Sequence, residues 1–459
     1  MKTLIKNGTV VTASDTFKAD VLCDDGRVAL LGEALDVAAD KTVDAAGKYV
    51  MPGGIDPHTH LDMPFGGTTS ADDFESGTIA AAHGGTTCIV DFAIQYRGES
   101  LRKGLDNWHA KAEGKAAIDY GFHMIMTQVD EGRLAEMDKL VGEGVTSFKL
   151  FMAYPGVFLV DDQSIFRAMK QAHHNGAVIC MHAENGPAID IIIDEAKRMG
   201  KTHPKFHSIT RPSRLEGEAT SRAIALAEVA DAPVYIVHLS AAEALEAVRE
   251  ARDRGIPALA ETCPQYLFCS FEEHMDQDGF AAAGYVCSPP IRPKWHQEHL
   301  WRGLRNYDLA CVSTDHCPFC MKGQKELGKD DFSKVPNGMP GIETRLHLLW
   351  EGVRNGHISM NRFVEISSTA PAKIFGLHPR KGTVAVGADA DLVVWDPAKE
   401  LVLSHKTLHM KVDYSPFEGR KVLGAPAAVL SRGEVIVEND KFLGRAGRGR
   451  FLKRATHAR

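Results

Sequence analysis

The sequence predicts an α/β protein: a (β/α)8 TIM-like barrel joined to a small β-sandwich built from both termini. Three observations predict it. Eight short apolar runs alternate with helical stretches through the middle of the chain. The two ends share another texture, short strands punctuated by turn residues. Polar side chains able to bind metal fall at the ends of the apolar runs, where a barrel gathers its chemistry.

The N-terminal strands read "TLIKNGTVVTA", "ADVLCDDGRVALLG" and "KTVDAAGKYV". Asn7-Gly8, Asp25-Gly26 and Ala46-Gly47 punctuate them as hairpin turns would. The texture returns in "GTVAVGADADLVVWDP" and "AAVLSRGEVIVENDKFLG". Termini of a domain tend to lie close together. Residues 1–50 and 380–440 are therefore expected to form the sandwich, with 51–379 left for the barrel.

The segment leading into His58 is the first barrel strand. "TTCIVDFAI", "YGFHMIMTQ", "VTSFKLFMAY", "GAVICMHAEN", "APVYIVHLS", "IPALAETCPQYL" and "YDLACVSTDHCPF" follow. Helical patterns such as "SRAIALAEVA" and "AAEALEAVREARDRG" lie between them. The strands are apolar on both faces because helices cover the outside and neighbouring strands fill the inside. Residues 441–459 end in "GRAGRGRFLKRATHAR", a basic arm expected to be solvated or, alternatively, packed on a neighbouring subunit.

At 459 residues the chain can bury a large core and a smaller one. Hydrophobic residues at 44% and charged residues at 25% suit a soluble globular protein. A formal net charge of -7 argues against nucleic acid as a partner. Nine cysteines without framework spacing fit a reducing cytosol, so a cytoplasmic location is expected. The N-terminal "MKTLIKNGTVVTAS" lacks the pattern of a signal peptide, and no run approaches the ~18 apolar residues of a membrane helix.

His58 and His60 follow strand one, Lys149 lies in strand four, and His182, His238 and Asp315 end strands five, six and eight. An HxH pair on a strand points both imidazoles to one face. One histidine at a strand end is usually a hydrogen-bonded structural residue; four with an aspartate in barrel order point to a metal site. Lys149 looks wrong for such a site. On its own it reads as a lysine paired with a carboxylate. Desolvated beside metal ions, its pKa should fall to leave a neutral amine. That amine can capture CO2 as a carbamate, whose two oxygens can bridge two metals. "CPFC" at 317–320 has no second CxxC and reads as accidental. Asp91, Glu184 and Glu261 are candidates to orient ligands.

The motifs "PGGIDPHTHLDMPFGG", "SFKLFMAY", "HAENG", "YIVHLS", "AETCPQYL", "CSPPIRP", "STDHCPF" and "PNGMPGIETR" together carry a resemblance. The chain resembles the cyclic-amide hydrolases of the amidohydrolase superfamily, within them the dihydropyrimidinase/D-hydantoinase group. The resemblance implies two divalent ions per subunit, with zinc suited to the donors. His58 and His60 would hold the more buried ion, completed by Asp315; His182 and His238 would hold the more exposed one. The N6-carboxylated Lys149 and a hydroxide would bridge them.

It also implies attack of that hydroxide on a ring amide, with Asp315 as base and then acid, and Tyr154 donating to the oxyanion. Ser288 and Asn337 resemble ring-binding positions. Met63, Phe65, Phe151 and Phe158 resemble the positions that set the substituent pocket. The implied substrates are 5-substituted hydantoins, dihydropyrimidines or both, in a homotetramer. Leu61 and Asp62 follow HxH where dihydroorotases carry an arginine. The rival readings are an allantoinase-like cyclic-ureide hydrolase and a non-catalytic scaffold relative.

Overall fold

The computed structural model of the protein describes residues 1–457. Eight parallel strands lie side by side in chain order. They are β1 Gly54–Thr59, β2 Thr86–Gln95, β3 Asp119–Met126, β4 Ser147–Phe151, β5 Val178–His182, β6 Val234–Ile236, β7 Ala258–Thr262 and β8 Cys311–Val312. All are buried except one partly exposed residue, as a sheet covered by helices requires. The first five βα connections end in the same chemistry. Asp73, Ser100, Asp130, Asp161 and Asn185 each accept the backbone amide three residues on and so start a helix.

The barrel seam is closed largely by side chains. β8 is only two residues long and pairs with β7 alone. Beyond it, Thr59 bridges His316, and the His60 amide donates to the His316 carbonyl at 2.8 Å. Asp56 on β1 accepts the Thr314 amide at 3.1 Å and its hydroxyl at 2.6 Å. The buried Arg345 guanidinium donates to Ile55 O on β1 at 2.8 Å and Val312 O on β8 at 2.9 Å. A short strand leaves carbonyls unpaired, and a five-donor guanidinium satisfies them on both edges.

Strands from both ends of the chain build two further sheets. The four-stranded one orders Arg27–Gly32, Asp20–Asp24, Thr3–Lys6, Lys41–Asp44. The seven-stranded one runs from Lys441–Phe442 through Leu392–Val402 and Tyr49–Pro52 to Thr16–Lys18. Ile5, Val21 and Val28 of the first pack with Val50, Leu392 and Leu430 of the second. Only one of the three turns read as hairpins is one. Asp25-Gly26 joins paired strands, at φ 48° and 76°. Asn7-Gly8 and Ala46-Gly47 carry the chain from one sheet to the other. The turn residues supply the positive φ in both cases; they do not say whether the next strand pairs or crosses.

The basic arm, described as far as His457, lies along the barrel instead of standing free in solvent, with residues 458–459 outside the described residues. Tyr120 N donates to Arg450 O at 3.0 Å, Leu452 N to Tyr120 O at 2.7 Å, and Arg454 N to Gly144 O at 3.1 Å. Leu452 and Arg454 are buried, and the Arg454 guanidinium donates to Ser147 Oγ at 2.9 Å. The arm is a strap across the N-terminal ends of β3 to β5. Glycines allow the approach: a Cβ on Gly449 would lie 2.0 Å from Ile118 O. All nine cysteines are free. Among the described residues no helix is long and apolar enough to cross a membrane.

Candidate metal centre

The sequence-predicted donors meet at the C-terminal mouth of the barrel. His58 Nε2 and His60 Nε2 lie 3.2 Å apart, and Asp315 Oδ1 sits 3.1 and 3.2 Å from them. Lys149 Nζ, on β4, is 3.1 Å from His58 Nε2. His182 Nδ1, at the end of β5, faces His238 Nε2 at 3.0 Å. Three residues of this mouth hold left-handed backbone: Asp315 at φ 51°, His238 at φ 40° and Tyr154 at φ 62°. Side chains with a Cβ occupy that region at a cost of order 1–3 kcal/mol, and such strain gathers at functional sites.

The three acids singled out as orienting groups each take hold of the mouth. Glu261 on β7 accepts from His58 Nδ1 at 2.5 Å, from the His238 amide at 3.2 Å and from Tyr235 Oη at 2.8 Å. Glu184 takes His182 Nε2 at 2.9 Å. Asp91 accepts from Thr59 Oγ1, Leu61 N and Trp108 Nε1, so it holds the HxH segment rather than an imidazole. Burial pushes the Asp91 carboxyl up to about 6. With the Nδ1 proton of His58 and the Nε2 proton of His182 directed at carboxylates, the opposite nitrogens present lone pairs inward.

Phe92 was not legible beforehand. It reads as one apolar residue in a run, yet its ring stacks on His60 at 5.1 Å and on His123 at 4.4 Å, with Lys149 Nζ 4.3 Å from its centroid. His207 was missed for lack of any motif. Its Nε2 donates to Cys287 O at 2.8 Å and lies 3.3 Å from Ser288 Oγ.

The donor set fits cations. Burial lowers the pKa of Lys149, of His182 and, to about 3, of His60; it drives His238 well below the imidazole range. Burial alone would raise the Asp315 carboxyl, but His58 and His60 hold it well below the carboxylate range. Burial favours the neutral forms of His60, His182, His238 and Lys149, while His58 is the exception: burial lowers its pKa, but Glu261 and Asp315 raise it above the usual imidazole value. His182 Nδ1 presents its lone pair to His238 Nε2 at 3.0 Å, close enough for the two nitrogens to share a ring proton or a cation. His60 Nδ1 and His238 Nδ1 have no partner, so neither ring is held by a second hydrogen bond. His58, His60 and Asp315 can hold one ion, and His182 with His238 another.

A pocket opens over these donors. Met63, Phe65, Phe151 and Phe158 line it with Tyr154, Ser288 and Asn337. Phe151 stacks on Phe158 at 4.9 Å and on His182 at 5.1 Å, and Phe65 faces Phe158 at 6.0 Å. Asn337 Nδ2 donates to Ser288 Oγ at 3.1 Å and to Tyr154 Oη at 3.3 Å. Burial raises the Tyr154 phenol to about 12, so it stays a donor at neutral pH. Of the "CPFC" pair, Cys317 lines this pocket while the Cys320 thiol points to Lys411 O. Neither belongs to a metal-capable group among the described residues.

Residues 49–436 match the amidohydrolase family. The chain is 58% identical to the D-hydantoinase of Streptomyces coelicolor over 99% of its own length and 98% of that protein. It is 53% identical to the D-hydantoinase of Geobacillus stearothermophilus over 100% and 97%. The solved dihydropyrimidinase from Brevibacillus agri NCHU1002 superposes with a TM-score of 0.99 at 51% identity, covering 100% of both chains. A match over most of the chain, with identity above one half across full-length relatives, shows that this chain belongs to the amidohydrolase family.

Proposed function

We propose that this protein opens the cyclic amide of 5-substituted hydantoins, dihydropyrimidines or both, releasing N-carbamoyl amino acids. The observation that carries the reading is the floor of the pocket. The His58, His60, His182 and His238 nitrogens, the Asp315 carboxylate and an amine without a carboxylate partner converge beneath an aromatic wall. On this reading His58, His60 and Asp315 hold one divalent ion, His182 and His238 the second, and Lys149, carboxylated by CO2, serves both. Zinc suits the donors. Two such ions would supply Lewis acidity toward the amide carbonyl and bring the pKa of water toward neutrality.

The chain's own groups do the rest. Burial lowers the Lys149 pKa, which favours the neutral amine that carboxylation needs; its nitrogen would bond to the CO2 carbon and a proton would leave. Asp315 accepts the proton of the attacking water and returns it to the ring nitrogen as the C–N bond breaks. Tyr154 donates its hydroxyl to the carbonyl oxygen as charge develops there. Ser288 and Asn337 read the N–H and C=O edges of the ring. Met63, Phe65, Phe151 and Phe158 pack on an apolar substituent.

Residues 1–50 with 380–440 are proposed as one domain, 51–379 as the catalytic one and 441–459 as its basic arm. A cytoplasmic location is supported by nine free thiols. A homotetramer follows from the resemblance and is tested by sedimentation. The deciding experiment is turnover by zinc-reconstituted protein of hydantoin, dihydrouracil, 5-phenylhydantoin, allantoin and dihydroorotate, with metal counted per chain. We expect turnover of the first three and two ions per chain. Turnover of allantoin alone would move the reading to a cyclic-ureide hydrolase, and a metal-free, inert chain would end it.

A further inference from the structure

Lys325 is a buried cation that the proposed chemistry does not use. Its side chain is wholly buried with no carboxylate paired to it, and burial keeps the nearby Cys287 and Cys317 thiols protonated. Its ammonium donates instead to three main-chain carbonyls: Val286 O at 3.0 Å, Pro336 O at 2.8 Å and Gly338 O at 2.8 Å. An ammonium has three donors, so its capacity is filled by backbone. Those carbonyls flank Ser288 on the loop after β7 and Asn337 on the loop after β8.

The same loops are tied directly. Gly338 N donates to Val286 O at 3.0 Å, and Asn337 Nδ2 to Ser288 Oγ at 3.1 Å. Gly338 sits at φ 149°, and a Cβ there would lie 2.1 Å from Cys317 O, two residues past Asp315. Three segments of the pocket wall therefore meet around one ammonium. Burying a cation without a carboxylate is unfavourable, and burial lowers the Lys325 pKa to about 7. An apolar side chain would fill the space without that penalty, but would leave Pro336 O and Gly338 O unpaired and Val286 O with the Gly338 amide alone.

We propose that Lys325 is a positioning residue for ring recognition, setting the separation of the Ser288 and Asn337 loops and hence which ring sizes their polar edges can read. This rests on the reading of Ser288 and Asn337 as ring-binding groups. A five-membered and a six-membered cyclic diamide present their N–H and C=O groups at different spacings. A clamp on loop separation therefore acts on the choice between them, whereas the aromatic wall acts on the substituent.

The test is steady-state kinetics on hydantoin and dihydrouracil with wild type, Lys325→Met, Lys325→Gln and Phe158→Ala, with metal counted in each. In Lys325→Met we expect KM to rise about tenfold for at least one ring, the equivalent of about 1.4 kcal/mol of loop hydrogen bonding. The ratio of kcat/KM between the rings should shift, kcat should change far less, and two ions per chain should remain. Lys325→Gln keeps two donors and should fall between; it carries the test if the methionine variant does not fold. Phe158→Ala should leave the ring ratio unmoved. An unchanged ring ratio and KM in both lysine variants overturns the proposal. So does a parallel fall in kcat and metal content with KM constant, which marks a merely structural lysine. Wild type inert on both rings overturns the functional reading first, and the clamp with it, before any variant is scored.

Discussion

Lys149 and Lys381 are both 1% exposed, yet the protein treats them in opposite ways. Lys381 is gripped by Asp119 at 2.8 Å, Asp389 at 3.1 Å and Asp391. Burial would push its pKa down, but Asp391 and the other carboxylates raise it, so the ion is kept. Lys149 touches no carboxylate and faces an imidazole nitrogen; burial lowers its pKa, and Asp315 and Glu261 do not restore it. Burial is the same at both sites. The partner in contact decides whether burial's push toward the neutral amine is opposed or left standing.

The surroundings follow the same division. The three aspartates around Lys381 would suit a metal by composition, but the ammonium already occupies the space between them. Arg432 binds the far side of Asp119, and the arm passes beside it, with Arg450 N on Asp119 Oδ1 at 3.0 Å. That cluster is paired throughout and joins the floor of the barrel to the terminal sheets. The upper cluster leaves His60 Nδ1, His238 Nδ1 and Glu184 Oε1 without partners and bends Asp315 and His238 into left-handed backbone. A satisfied cluster holds a fold, and an unsatisfied one is poised to hold something else.

Exchanging the two lysines in turn breaks this comparison most sharply. Lys149→Ala should abolish metal retention and lower kcat/KM by more than about 10³-fold, since metal Lewis acidity supplies several kcal/mol. Its urea midpoint should stay near wild type, and a loaded, active Lys149→Ala protein would remove the upper half of the contrast. Lys381→Met should do the reverse. It removes the buried cation from among three carboxylates, leaving Asp119 to Arg432 and Asp389 to Arg380, and should cost about 3–5 kcal/mol of stability by denaturant melts, with metal per folded chain unchanged.

Tyr154→Phe tests the mouth without touching a metal donor. Loss of one oxyanion donor should lower kcat by about 10²-fold with metal content intact. An undiminished kcat would reassign the hydroxyl to holding Asn337 alone.

The smallest effect is on acid stability. Burial holds His347 down to about 4 from 6.5, so the unfolded chain binds the proton first. Its contribution is complete above pH 6.5 and drains away as the pH falls to about 4, by of order 2–3 kcal/mol at 1.36 kcal/mol per unit. Urea midpoints from pH 7 to 4 should fall less steeply in His347→Gln than in wild type. Parallel slopes would show that other groups carry the acid response.

Much of this was legible before any fold was known, because it depends on spacing along one strand. His58 and His60 had to share a face, and the ends of β5 and β6 had to bring His182 and His238 to the same mouth. Phe92, His207 and Lys325 could not be found that way, since each acts on groups far along the chain: Lys325 on Val286, His207 on Ser288, Phe92 on His123. The arm failed for the same reason. Its charge suggested solvent, while its glycines permitted close packing against backbone that only the barrel supplies.

By itself, then, the order of residues determined the eight-strand alternation, the face each histidine takes and the donors available to a cation, because periods of two and about 3.6 are local properties of the backbone. The tertiary structure alone decided which turns cross between sheets, how Arg345 closes a seam left by a two-residue strand, and which of three buried lysines meets acid, imidazole or carbonyl. Those outcomes depend on distances between distant segments, and a pKa follows the neighbour, not the letter.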